Sequence, residues 1–185
     1  MARANRYFIP GNLWHITHRC HRKDFLLKFK RDRKCWIQWL FEAKKRFGVS
    51  VLNYIATSNH VHLLLSDENS EGNIPVFMQL VQGRTAQVYN NRTKRKGAFW
   101  EDRYHATAVS KDEHFMQCMV YISMNMVRAG VVDHPEEWEE SGFYEIMHPK
   151  KRYAIIDYAL LLKTLGIETF EKFQDLQQEW IKDTP

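Results

Sequence analysis

Alternation and helical spacing divide the chain into a short series of elements. LWHITHR (13–19) alternates and is rich in β-formers, so it reads as a strand. Over 29–47, Phe29, Trp36, Leu40 and Phe47 recur near helical spacing, and Gly48 stops the run. VSVLNYIAT (49–57) and HVHLLLS (60–66) read as a second and third strand, close enough to form a hairpin. A polar loop (67–73), a helix (74–91) and the basic loop RTKRKG (92–97) follow. AFWEDRYHATAV (98–109) reads as a fourth strand, and 112–129 as one long helix ending at Gly130. HPEEWEESGF (134–143) is an irregular acidic connection; 155–165 and 168–181 read as two short helices of a C-terminal extension. The order β-α-β-β-α-β-α predicts an α+β fold, an antiparallel sheet with helices segregated to one face.

A chain of 185 residues fits about one domain with an extension, here 1–145 and 146–185. Its 44% hydrophobic and 14% aromatic content excludes disorder as the main state. Charge is unevenly spread. Residues 1–111 carry 20 basic and 8 acidic side chains, whereas 112–185 carry 7 and 14. The basic excess fits either a polyanion partner or a solvated basic face. No apolar run reaches the roughly 18 residues of a membrane span, and MARANRYFIPG lacks the apolar core of a signal peptide. Three cysteines at no framework spacing point to a reducing, cytoplasmic compartment.

Candidate chemistry lies in two places. His60 and His62, two apart on a strand, project from one face while Val61, Leu63 and Leu65 point to the other. The pair is half of a metal site, lacking a third ligand, or simply an edge-strand feature. In the helix at 112–129, Phe115, Met119, Ile122 and Met126, flanked by Met116, Val120 and Val127, form the core stripe. His114, Gln117, Tyr121, Asn125 and Arg128 form the opposite, polar stripe, with Asn125 one turn beyond Tyr121. Tyr121 is then either an accessible nucleophile or a half-exposed surface tyrosine.

TSNHVHLLLS (57–66), GAFWEDRYH (97–105) and YISMNMVRAGVV (121–132) together resemble the REP-associated tyrosine transposases of the HUH single-tyrosine superfamily, over roughly residues 7–145. Tyr121 follows His60 by 61 residues, which fits that order. One departure is Met126, where the family usually has proline; methionine continues the helix and falls on the core face. The resemblance implies a ferredoxin- or RRM-like HUH fold with a four- to five-stranded antiparallel sheet. His60 and His62 would be the histidine pair, Tyr121 the nucleophile, and Asn125 the third ligand, a glutamine in relatives. It further implies metal-dependent cleavage and rejoining of single-stranded, hairpin-forming REP-type DNA through a 5′-phosphotyrosine.

These residue types suit that chemistry. Tyrosine, with an ordinary pKa of about 10, needs help near neutrality, and a divalent ion can polarise the phosphate and draw in the phenolate. Two imidazoles and an amide suit Mg²⁺ or Mn²⁺ and leave the ion's charge to the phosphate. Arg3 and Arg6 open a basic arm that, by resemblance, helps to read the hairpin and its guide sequence. Arg84, Arg92, Lys94, Arg95 and Lys96 could neutralise phosphates or be solvated charges, and Arg128 lies beside Tyr121. In the shared WEDRYH block, alternation sends Trp100, Asp102 and Tyr104 one way and Glu101, Arg103 and His105 the other; Arg103 is the arginine best placed for DNA. A zinc site from His15, His18, Cys20 and His21 is disfavoured because the spacing is tight and mixes both strand faces. His105 and His114 read as surface or supporting groups. The extension is expected to carry no catalytic group. Two rivals remain: a domesticated sequence-specific nucleic-acid-binding protein without strand transfer, and a relaxase- or initiator-like nickase, disfavoured by the short chain. The resemblance leaves monomer and homodimer open.

Overall fold

In the computed structural model, which describes residues 6–68, 72–182 and 184, the first strand occupies the middle of the sheet. Arg3 lies outside the described residues. Strand β1 (Leu13–Arg19) pairs antiparallel with β3 (His60–Ser66) on one side and β4 (His105–Val109) on the other. With β2 (Ser50–Ala56) beyond β3, the order is β2-β3-β1-β4, four strands among the described residues. The chain order βαββαβ is that of the ferredoxin-like unit, as expected. Register sets Thr17 opposite His62 and Arg19 opposite His60, so β1 and β3 present these side chains on one face.

The other face, bearing Ile16, Val61, Leu63 and Tyr54, is closed by α1 (Lys30–Phe47) and α2 (Ile74–Thr93). Trp36 of α1 is fully buried near the Tyr54 ring, and its indole Nε1–H donates to Gln82 Oε1 of α2 at 3.1 Å. Gly48 ends α1 in the left-handed region, φ 65°, where a side chain would be strained.

The helices are not all on one face. α3 (Glu113–Ser123) covers the histidine-bearing side, burying Phe115, Met119 and Ile122 as the stripe predicted. Asn53, beside an irregularity in β2, pins it: its Nδ2 donates to the Met119 carbonyl at 3.1 Å and to Ser123 Oγ at 3.3 Å. Gly142 lies so close that a Cβ there would sit 2.2 Å from Asn53 Oδ1.

The expected single helix over 112–129 is in fact two. It breaks at Met124 (φ −85°, ψ 5°), and α4 (Asn125–Arg128) follows, stopped at Gly130 in the left-handed region. At the break the Tyr121 carbonyl accepts a bond from Arg128 Nη2 at 2.6 Å, a side chain taking an acceptor of the helical ladder.

The strand expected over 98–109 is regular only from His105. Before it, Trp100 makes an isolated bridge with Cys20, and Asp102 adopts φ 51°, so simple alternation does not extend through this stretch. The connection 134–143 ends in a helix, α5 (Gly142–Met147), whose buried Glu145 accepts from Tyr54 Oη and from the amides of Ile155 and Ile156. Ile156 and Ser141 bridge to the outer edge of β2. α6 (Tyr158–Leu165) and α7 (Phe170–Lys182) complete the chain, and α7 reaches α3. No described helix is long and apolar enough to cross a membrane.

Candidate active site

The sheet face and α3 frame an open cleft of about 450 Å³. β3 supplies His60 and His62, β1 supplies His15, Thr17 and Arg19, and α3 supplies His114, Gln117 and Tyr121. Asp112 caps α3, accepting from the His114 amide at 3.0 Å, and so sets the start of the helix that carries Tyr121. Tyr121 is 46% exposed although aromatic, and the edge of its ring meets those of His62 and His15 at centroid separations of 5.6 and 5.9 Å.

The hydrogen bonds set the tautomer of His60, and the orientation of the Asn125 amide sets that of His62. His60 Nδ1 lies 2.8 Å from Asn59 Oδ1, a pure acceptor, so Nδ1 carries the proton and Nε2 keeps its lone pair. Thr57 Oγ1 sits 2.9 Å from the same nitrogen and also donates to the His60 carbonyl, which holds the β2–β3 turn rigid. At His62, Asn125 Nδ2 donates to Nε2 at 3.2 Å, which leaves the proton on Nδ1. Nδ1 in turn lies 2.9 Å from His15 Nε2 and 3.1 Å from Thr17 Oγ1. The two imidazoles therefore converge on one amide: Asn125 bonds His62 Nε2 and also interacts with His60.

Burial keeps these rings neutral. His62 is held well below the usual histidine range, first by burial and then by His60, His15, Arg128 and Arg19. His60 is lowered by burial and by Arg19, partly offset by Asn125. His15 is lowered by burial and by His114. Neutral imidazoles, and an amide whose oxygen and nitrogen exchange places by a flip, are a donor set that fits a divalent cation. The amide matters, because no cluster of three His, Cys, Asp or Glu side chains among the described residues is arranged to hold one. No carboxylate is among the described residues that line the cleft.

The structure thus brings together His60, His62, Tyr121 and Asn125, with Arg128 stacked over the Tyr121 ring at 4.3 Å. It does not bring the other basic residues there. Arg84 lies on α2, beyond the opposite face of the sheet, where it bonds Gln87 and faces Trp39. Lys94 ends that helix in the left-handed region, Arg95 binds Asn90 and the Gly97 carbonyl, and Lys96 is exposed. Arg6 stacks on Tyr104 and donates to its carbonyl, and Arg103 is exposed nearby. Sequence reasoning missed the part of His15, Thr17 and Arg19. Alternation put them on one face of β1, but only the pairing register shows that face to be the one with His60 and His62. The same register separates His15 from His18 and Cys20, so the disfavoured zinc cluster does not assemble.

A family model described as Transposase IS200 like matches residues 12–125. Among solved structures, a REP-associated tyrosine transposase bound to a REP hairpin superposes with a TM-score of 0.67 at 17% identity, covering 80% of this chain and 87% of that one. A candidate transposase from Deinococcus radiodurans R1 gives a TM-score of 0.46 at 15% identity, covering 70% of this chain and 98% of that one. No curated protein matches.

Proposed function

Because the chain belongs to the IS200-like transposase family, we propose that it is a metal-dependent single-strand DNA transesterase acting through Tyr121. One observation carries this reading: an exposed tyrosine and two imidazoles share a cleft with no carboxylate among its described lining residues, and the Asn125 amide bonds one of those imidazoles. An anionic phosphate meets no like charge among those lining residues.

Tyr121 Oη attacks phosphorus and gives up its proton. The new O–P bond replaces the bond to the 3′ oxygen, which takes up a proton and leaves as a 3′-hydroxyl. The phosphodiester energy is kept in a 5′-phosphotyrosine, so a 3′-hydroxyl can reverse the step and rejoin a strand without ATP. His60, His62 and Asn125 would hold Mg²⁺ or Mn²⁺, which when bound polarises the scissile phosphate. His15 and Thr17 hold His62 in the tautomer that donates through Nε2. Arg128 and Arg19 supply positive charge at the cleft. Arg3, Arg6, Arg84, Lys94, Arg95, Lys96 and Arg103 are assigned to the DNA backbone further out. Residues 1–145 form the catalytic unit in this reading, and 146–185 an extension without a catalytic group. The hairpin bound by the solved relative makes REP-type palindromes the substrate to try first.

The test is to mix the protein with labelled hairpin-forming single strands and Mn²⁺. A covalent adduct that survives denaturation is expected, with the nucleotide on Tyr121 by mass spectrometry. A phosphotyrosine at another position, or cleavage without an adduct, overturns the mechanism. Calorimetry checks the ligands separately: His60→Ala/His62→Ala is expected to lose Mn²⁺ binding, and unchanged binding would reject the assignment.

A further inference from the structure

Tyr121 has a second cleft on its other side. About 420 Å³ opens between α3 and α7, walled by Met116, Val120 and Trp180, with Gln117, Arg128 and Thr184 at its edges. Tyr121 and Gln117 line this space and the histidine cleft alike, so the proposed nucleophile borders both.

The chemistry of the second space differs from that of the first. Its walls are a thioether, a branched aliphatic and an indole, each only half-buried and so left with an unpaired apolar surface. Its edges offer an amide, a hydroxyl and a guanidinium, and no carboxylate is among its described lining residues. Arg128 is held at the Tyr121 end by its stack on that ring and its bond to the Tyr121 carbonyl. Thr184 is held at the other end by donating to the Trp180 carbonyl at 2.8 Å. An apolar cleft with polar edges and one cation suits an unpaired nucleobase joined to a phosphate: the π-face stacks on the indole, and the sugar-phosphate stays at the guanidinium.

We propose that this cleft receives the unpaired base of the nucleotide whose 5′ phosphate becomes joined to Tyr121. The proposal rests on the transesterase reading and adds a base subsite built partly by the C-terminal extension. The covalent bond places that nucleotide beside the Tyr121 ring, which also lines the α3–α7 cleft. Stacking needs no particular hydrogen-bond pattern, so the subsite accepts any base, with discrimination left to the Gln117 amide and the Thr184 hydroxyl at its edges.

The experiment measures dissociation constants by fluorescence anisotropy for single-stranded oligonucleotides carrying one abasic site, scanned across the cleavage position, with the full chain and no added metal. Wild type is expected to bind more weakly, by about 5- to 150-fold, when the missing base is that of the joined nucleotide. Trp180→Ala is expected to lose a comparable factor on the intact strand and less than about twofold more on that abasic strand, while Trp180→Phe keeps most of the affinity. The wild-type scan and the Phe variant decide the matter even if Trp180→Ala disturbs α7. Indifference of wild type to every abasic position, or fully additive losses, overturns the proposal. Adduct formation in parallel separates the two readings. An adduct with no abasic effect refutes the subsite alone. If no adduct forms, the chemistry falls, and the scan still decides the cleft: coupling to Trp180 at one position retains it, and indifference at all removes it.

Discussion

The two faces of the sheet are made from the same strands, and each buries histidine, yet one is a closed core and the other an open site. On the α1–α2 side, His18 stacks on Trp100 at 4.7 Å, its Nε2–H donates to the Asp102 carbonyl, and its Nδ1 is buried with no partner. On the α3 side, His62 has partners on both ring nitrogens, and each is a group able to change its own bonding: His15, Thr17 and Asn125. Both rings are kept neutral mainly by burial. Burial alone therefore does not mark a functional histidine. What separates them is whether the unprotonated nitrogen faces apolar packing or an open cleft with a second donor.

The sharpest way to break this contrast is to change one residue on each face. Tyr121→Phe removes one exposed oxygen from the α3 side; adduct formation is expected to vanish, with stability moving by less than about 1 kcal/mol. Residual adduct in denaturing gels would reassign the nucleophile. Trp36→Ala, on the other side, deletes a fully buried indole and strands Gln82 Oε1, and is expected to cost about 3–5 kcal/mol in denaturant unfolding. At low temperature, where the variant stays folded, it should still form the adduct. Loss of chemistry without unfolding would show that the two faces are coupled.

The third test concerns pH. The pKa of His18 is lowered from 6.5 to about 4 by burial, against the smaller raising effect of its bond to the Asp102 carbonyl. A histidine lowered in the folded state contributes stability that is complete above pH 6.5 and is lost as pH falls towards 4, because the unfolded chain binds the proton first. The loss is roughly 3 kcal/mol at most. His18→Phe can stack on Trp100 but cannot titrate, so its stability is expected to fall less between pH 7 and 4.5. Parallel pH curves for wild type and variant would remove His18 from the account.

The smallest effect asks whether the α2 side touches DNA at all. If about six phosphates are neutralised, the slope of log K against log salt on single strands is near −4. Replacing Lys94, Arg95 and Lys96 by glutamine is expected to reduce its magnitude by about 2. An unchanged slope would confine DNA to the α3 side.

Much of this was legible in sequence because alternation and helical spacing record burial directly. β1 and β3 fall where LWHITHR and HVHLLLS place them, and the α3 stripe buries Phe115, Met119 and Ile122. Three kinds of feature were not legible. The break at Met124 accompanies a bond between Arg128 and the Tyr121 carbonyl, a contact that leaves no trace in periodicity. The run 98–104 alternates in type, yet Asp102 takes a positive φ, so pattern and backbone part company. Counting charge over 1–111 merged residues that the sheet then separates: Arg19 borders the cleft, while Arg84 and Arg95 belong to the α2 side.

The break at Met124 also has a mechanical consequence. In the proposed reaction a DNA strand hangs from Tyr121 while it waits for a second end, and any tension in it is applied to that side chain. The load enters α3, whose last turn is tied to the sheet by Asn53 through the Met119 carbonyl and Ser123. Asn125 begins a separate helical segment beyond the kink. A pull on the nucleophile is thereby passed to the sheet through Asn53, and it reaches the segment of Asn125 through the Met124 turn and the contacts of Arg128 with Tyr121.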